Sequence, residues 1–174
     1  MNGLANNDAL AVLKTLARDD EALAARIAEV ATAYLSMLDL EEVASVLYGE
    51  LDALEVEEVW AQAGRTRYGY IEPIEVADEM VGVVIAPFLE ELRRYQALGM
   101  NEQVNRMCMG LLLGLYKFDD ESTNEFKDWA GDAPTVLAEE VVRIWKDGRP
   151  SKADVEALRT FIEEALGGWC KRLV

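Results

Sequence analysis

The stretch AGRTRYGYIEP at 63–73 brings two arginines, two tyrosines and two glycines together in a chain whose formal charge is −16. It follows a long acidic run, because no lysine or arginine stands between Arg26 and Arg65 while nine acidic residues do. A guanidinium fork can hold a carboxylate or phosphate, and aromatic rings add rigid contacts. We therefore predict a recognition loop whose candidate binding residues are Trp60, Arg65, Arg67, Tyr68 and Tyr70.

The same loop has a purely structural interpretation. Gly64 would end a helix, since glycine adopts the left-handed conformation of a helix C-terminus. The two arginines would neutralise the acidic segment before them, and the tyrosines would cover the core beneath the loop. Both interpretations stay open at the level of sequence, and in both this loop is the place where a specific surface is expected.

Catalytic chemistry has few candidates elsewhere in the chain. The sequence contains no histidine, which removes the commonest general base, the usual metal ligand and every Ser-His-Asp or Cys-His arrangement. It also lacks a Cys-x-x-Cys pair and a phosphate-binding glycine loop. Cys108 lies between Met107 and Met109 and has no histidine partner, so we expect a buried apolar residue there. The chain is therefore predicted to be non-enzymatic and to hold no cofactor and no metal.

Carboxylates are most concentrated between residues 39 and 58. Two interpretations exist, a calcium or magnesium site and a solvated helical face. A calcium loop needs carboxylates at alternating positions around a glycine, which this spacing does not provide. We therefore expect a solvated face, with Asp39 as a helix cap. The group comprises Asp39, Glu41, Glu42, Glu50, Asp52, Glu55, Glu57 and Glu58.

The elements that would position these residues are helices. Alanine, leucine, glutamate and valine dominate the composition, and no window alternates long enough to predict a strand. Asp39 and Ser151 are predicted N-caps, and Pro73 suits a first helical turn. Pro87 predicts a kink or a break in the long helix that follows. Gly110 and Gly114, four residues apart, indicate close approach of another helix.

Short turns between the helices predict antiparallel hairpins over about 19–54, 73–118 and 133–170. Residues 73–81 align without gaps on 134–142, with four identical positions of nine. This similarity is either a true repeat or the recurrence of capping chemistry. The predicted fold is all-α, a single domain over 1–174 of stacked antiparallel hairpins. If the repeat is real, the fold is a short α-solenoid comparable to TPR or HEAT arrays.

Composition narrows the environment and the partners. The acidic balance and the scattered basic residues argue against nucleic acid. The longest apolar run, MCMGLLLGLY at 107–116, is half of a membrane span, so we expect no membrane insertion. The opening MNGLANNDAL has neither the basic start nor the apolar segment of a signal peptide. The two cysteines, Cys108 and Cys170, suit a reducing compartment, although a disulfide between them stays open at the level of sequence. We therefore expect a cytoplasmic protein.

The region from about Asp39 to Trp145 resembles the helical region that follows the SWIM zinc-finger motif in bacterial and archaeal proteins of unassigned function. The similar segments are VWAQAGRTRYGYIEP, PFLEELRRYQALGM, GLLLGLYKF and EFKDWAGDAP. The chain lacks the Cys-x-Cys and Cys-x-His zinc motif itself, so neither zinc nor DNA binding is implied. The resemblance implies a helical module for protein contacts and supplies no catalytic residues.

Three functions are consistent with these observations. The first is a protein-interaction or scaffold module with a groove for a partner helix or peptide. The second is a small-molecule or anion-binding helical protein, enzymatic or not, that uses the Arg65–Tyr70 loop. The third is a homo-oligomer whose apolar faces cover one another. An open groove would favour the first, and a deep apolar pocket beside Arg65 or Arg67 would favour the second.

Overall fold

The computed structural model describes residues 6–67 and 69–174. Within these residues the chain forms nine α-helices and one small antiparallel sheet, so the predicted all-α class is confirmed. The two strands were not predicted. In chain order the elements are α1 Asn6–Asp19, α2 Glu21–Leu35, α3 Leu40–Asp52, α4 Val56–Gln62, β1 Gly64–Thr66, β2 Gly69–Ile71, α5 Pro73–Ala97, α6 Asn101–Glu121, α7 Lys127–Ala130, α8 Ala133–Asp147 and α9 Lys152–Ala165.

The chain divides into two compact units, one up to Met37 and the other from Leu38 to Val174. This differs from the single domain predicted over 1–174. The hairpin predicted over 19–54 spans the boundary between these two units and stays a prediction. α2 pairs with α1 in the first unit, whereas α3 packs on α6 in the second.

Helix α6 is the centre of the second unit. Its buried side chains lie on nearly every side of the helix rather than on one stripe. Such a helix must be surrounded by others. α6 makes its most extensive contact with α3, and it also contacts α5, α8 and α9. The buried residues of α6 are Gln103, Val104, Met107, Cys108, Gly110, Leu111, Leu112, Leu113, Gly114, Leu115 and Phe118.

Helices α3, α6 and α9 run in the same direction. At the start of α3, the Leu38 carbonyl accepts a hydrogen bond from Arg106 at 3.3 Å, and at its end Asp52 accepts one from Ser122. The order of contacts is therefore the same along both helices. On the other side of α6, Asn105 donates to Asp154 near the start of α9, and Asp119 accepts from Trp169 beyond its end.

Helices α5 and α8 run parallel to each other in the same way. Asp78 near the start of α5 shares a small cavity with Asp132 and Ala133 at the start of α8. Further along, Gln96 donates to the Ile144 carbonyl at 2.7 Å. The two segments with similar sequence, 73–81 and 134–142, therefore begin two parallel helices that lie side by side.

Most of the predicted local signals are found. Asp39 accepts hydrogen bonds from the backbone of Glu41 and Glu42, and Pro73 stands in the first turn of α5. Helix α5 is continuous from Pro73 to Ala97, so Pro87 does not break it. Among the described residues, no helix combines the length and apolar character that crossing a membrane requires.

The capping box at the start of α9 allows a stability prediction. The Ser151 side chain accepts from the Asp154 amide, and the Asp154 carboxylate accepts from the Ser151 amide at 2.9 Å. We expect Ser151→Ala to lower the free energy of unfolding by about 1 kcal/mol at neutral pH, the usual cost of losing an N-cap. Urea unfolding followed by circular dichroism measures it.

The pH dependence of this effect has a definite sign. Hydrogen bonds from Ser151 hold the pKa of Asp154 below its ordinary value of 3.8. The stabilisation is therefore complete above that value and is lost as the pH falls through the lowered pKa. The difference between wild type and Ser151→Ala should shrink in that range. Ser45→Ala, at an exposed position inside α3, is the control and should change stability little.

Candidate functional site

The predicted recognition loop folds as a β-hairpin that follows α4. Arg65 of β1 pairs with Tyr70 of β2, and Arg67 lies in the turn between the strands. Gly69, at φ +146°, opens the second strand with a backbone conformation that glycine adopts readily. Each strand has only three residues, which is too short to show an alternating pattern. This is why the sequence did not predict them.

The hairpin brings part of the predicted site together. Cross-strand partners project from the same face, so the Arg65 and Tyr70 side chains are neighbours on one side of the ribbon. Both are exposed, and Tyr70 is 62% accessible. Arg67 is exposed as well. The fourth member of the loop, Tyr68, lies outside the described residues.

Trp60 is held by a contact that the sequence did not predict. Its ring lies edge-on to that of Trp129 on α7, with centroids 4.8 Å apart and an interplanar angle of 77°. Trp60 nevertheless stays 53% exposed. It therefore has a structural role against α7 and an accessible face.

The predicted neutralising role of Arg65 finds no ion pair among the described residues. No described residue forms a salt bridge with its guanidinium group. Neither Arg65 nor Arg67 lines any of the four cavities identified among the described residues. Recognition by Trp60, Arg65, Arg67 and Tyr70 stays a prediction.

The largest of these cavities is an open groove between α3 and α5, with α6 at its base. Its volume is about 440 Å³. The apolar surface comes from one face of α3 and from the middle of α5, and Met107 of α6 closes the base. We call this surface the α3–α5 groove. Its lining residues are Leu38, Asp39, Glu42, Val43, Val46, Glu50, Pro87, Phe88, Glu91 and Met107.

The charge of the α3–α5 groove has one sign. Four of its lining residues carry carboxylates and none carries a basic group. Asp39 is engaged as the cap of α3, and Glu91 forms an ion pair with Arg94 at 3.1 Å. Glu42 and Glu50 are both exposed on α3, eight residues or about two turns apart. The groove is therefore an apolar channel with a negative border.

Close helix packing creates the wall of this groove. Gly110 of α6 faces Leu40 and Val43 of α3 so closely that an added Cβ would lie 2.8 Å from the Leu40 carbonyl oxygen. The predicted role of the glycine pair as a close-approach site is thereby confirmed. Because Val43 also lines the groove, the same contact that joins α3 to α6 orients the groove-lining face of α3.

A smaller cavity of about 280 Å³ lies between the starts of α5 and α8. Burial raises the pKa of Asp78 above its ordinary value of 3.8, and the Asp132 carboxylate raises it further. The remaining lining residues, Ile74, Ala133, Val136 and Leu137, carry no charge. Among the described residues, no group of three or more metal-ligating side chains occurs.

Neither cysteine has the environment of a nucleophile. Cys108 is fully buried in α6, as predicted, and burial raises the pKa of its thiol. Burial also raises the pKa of Cys170 to about 12, with further contributions from Asp119 and Glu139. Both thiols are unpaired. A thiolate is the reactive form, and these surroundings disfavour it.

The sequence contained only part of the signal for the groove. The acidic group at 39–58 supplies three of its border residues, but Pro87, Phe88 and Met107 come from two other helices. Only the tertiary structure brings them beside α3. Comparison with protein-family models, with curated proteins and with solved structures finds no match to this chain.

Proposed function

We propose that the chain is a non-enzymatic protein-interaction module that binds a basic, amphipathic helical segment in the α3–α5 groove. The observation that carries this proposal is an open apolar channel with four carboxylates and no basic group in its lining. An amphipathic helix lays its apolar face into such a groove, and lysines beside that face would meet the carboxylates.

The shape of the groove favours a peptide over a small molecule. A small-molecule site encloses most of its ligand, whereas this groove is open along one side. Val46, at its edge, is 44% exposed without a partner. A docked helix would cover Val46 and the half-buried Phe88 and leave its polar side in solvent.

The order of the helices supports a scaffold role. α3, α6 and α9 form one set of parallel helices, and α5 and α8 form another. In a short solenoid, equivalent helices of successive repeats run parallel and side by side. We therefore propose that 73–121 and 133–165 are two divergent repeats and that α3 is the second helix of an incomplete one. Solenoids use such surfaces to bind extended partners.

The test uses a defined probe, a fluorescein-labelled amphipathic helix of leucine and lysine about 18 residues long, which spans ~27 Å. Fluorescence anisotropy should show saturable binding. Removing two groove carboxylates with Glu42→Gln/Glu50→Gln should weaken binding about fivefold, since each exposed ion pair contributes ~0.5 kcal/mol. Val46→Ser should also weaken it, through lost apolar contact.

The matched control removes the same charge elsewhere. Glu57 and Glu58 on α4 are exposed and do not line the groove, so Glu57→Gln/Glu58→Gln should leave the affinity nearly unchanged. Equal weakening by both pairs would show only general attraction between a basic peptide and an acidic protein. That result would contradict the proposal. An unchanged affinity of Val46→Ser for the probe would contradict it too, and so would the absence of binding at about 1 mM probe.

A further inference from the structure

The first unit, the hairpin of α1 and α2, has an uncovered apolar surface. None of the residues described on these two helices is buried. Half or nearly half of each large apolar side chain on α1 is accessible, and Met37 after α2 is 78% exposed. The exposed large apolar residues of the unit are Leu10, Val12, Leu13, Leu16, Val30, Tyr34 and Met37.

Such a hairpin lacks the usual source of helix stability. α1 has 14 residues and α2 has 15. Isolated helices shorter than about 12–15 residues are marginal in water, and most helical stability in proteins comes from packing of an apolar face. A two-helix unit without a buried side chain therefore needs a partner surface.

The apolar residues of α2 have coiled-coil spacing. Leu23, Ile27, Val30 and Tyr34 follow one another at intervals of four, three and four residues, and Met37 comes three residues later, after the helix has ended. This heptad pattern forms a seam that another helix covers by knobs-into-holes packing. Leu23 and Ile27 are half-buried, whereas Val30 and Tyr34 on the same seam are exposed. The pairing with α1 thus leaves part of the seam open.

We infer that a second copy of this chain covers that seam, so that two α1–α2 hairpins associate as a symmetric four-helix bundle. Helices of matched length with heptad seams are the elements of such bundles. The inference does not rest on the α3–α5 groove, which belongs to the other unit.

Charge supports a second copy over other occupants. The first unit carries a formal charge of only −2 out of −16, so its own charge opposes the association of two copies much less than the charge of the second unit would. A basic partner would be attracted to the rest of the chain instead, and an anionic membrane surface requires a polar face rich in lysine and arginine. The five acidic residues of the unit are Asp8, Asp19, Asp20, Glu21 and Glu29, and the three basic ones are Lys14, Arg18 and Arg26.

The size of the hairpin predicts a weak association. Helices of this length extend for about 21 Å and each is ~10 Å wide, so the face measures roughly 400 Å² in projection. That is at the small end of specific interfaces, where transient complexes occur. We therefore expect a dissociation constant on the order of micromolar and a dimer that forms as concentration rises.

Analytical ultracentrifugation of the full chain tests this inference. The wild type should shift with concentration from its monomer mass of 19.4 kDa towards twice that value. Val30→Glu/Tyr34→Glu places charges on the seam and should raise the dissociation constant at least tenfold. The matched control, Ala25→Glu/Thr32→Glu, adds the same charge at exposed positions on the opposite side of α2 and should still dimerise.

Folding of the variants can be checked separately. All four tryptophans lie at or beyond residue 60, so their fluorescence reports only on the second unit and should be the same in each variant. A wild type that stays monomeric up to about 1 mM would overturn the inference. A dimer that persists in Val30→Glu/Tyr34→Glu would also overturn it, because the contact would then lie elsewhere. Equal disruption of the dimer by Val30→Glu/Tyr34→Glu and by Ala25→Glu/Thr32→Glu would overturn it as well.

Discussion

Replacing Trp145 with alanine is expected to lower the free energy of unfolding by about 3–5 kcal/mol. Trp145 is 1% exposed and is among the largest buried side chains of α8 and of the whole core. Its removal would leave a cavity that neighbouring helices cannot fill without moving. Urea unfolding followed by circular dichroism measures the effect without depending on the lost fluorophore.

Part of this cost comes from a partly buried hydrogen bond. The Trp145 Nε1 donates to Asn105 Oδ1 at 2.8 Å, and the Asn105 amide donates in turn to Asp154. The three residues connect α8, α6 and α9. Trp145→Phe keeps most of the apolar volume but leaves the Asn105 oxygen without its donor, so we expect a smaller loss of about 1–3 kcal/mol.

Trp60→Ala is the matched comparison, because it makes the same change at a half-exposed position. Trp60 makes an edge-on contact with Trp129 and is 53% exposed, so it buries only about half of its surface. An aromatic pair of this kind contributes about 0.5–1.5 kcal/mol beyond its burial. Equal losses for Trp60→Ala and Trp145→Ala would contradict the assignment of Trp145 to the core.

Local chemistry made several features predictable from sequence. A cap needs only an oxygen-bearing side chain and the first turn of a helix, so Asp39 and Ser151 could be identified from their neighbours alone. The glycine spacing of α6 likewise indicated that a helix would approach. The identity of that helix, α3, depended on packing across more than sixty residues and had no local signal.

The helix pairs within each unit depend on tertiary packing, which local sequence does not reveal. α2 and α3 are joined by a short connection, which predicted that they would pair with each other. Within the second unit α3 packs on α6, where two glycines allow its backbone to come close, and within the first unit α2 pairs with α1. The α3–α5 groove could not be predicted residue by residue for the same reason. The three helices that form the groove come together only when α3 packs on α6.

Gly110→Ala and Gly114→Ala are each expected to lower the free energy of unfolding by about 1–3 kcal/mol. A Cβ at Gly110 would lie 2.8 Å from the Leu40 oxygen and from Val43 Cβ, and one at Gly114 would lie 2.9 Å from the Ala44 oxygen. Two of these contacts are backbone atoms of α3, which cannot rotate away. Urea unfolding of the single variants and of the pair measures the cost.

Gly49→Ala provides the control on the same helix pair. Nothing lies within 4 Å of a Cβ at Gly49, inside α3. Because alanine favours the helix more than glycine does, we expect this variant to gain up to about 1 kcal/mol. A stabilising effect at Gly110 or Gly114 as well would show that α3 and α6 are not in close contact there.

Gly110 also connects the stability of the second unit to its proposed binding surface. Gly110 contacts Val43, which lines the α3–α5 groove, and Met107 at the base of the groove lies one helical turn before Gly110. Displacing α3 outward from α6 would therefore move one wall of the groove. Gly110→Ala should weaken binding of the leucine–lysine probe under conditions in which the protein remains folded. Gly49→Ala should not, although it alters the same helix.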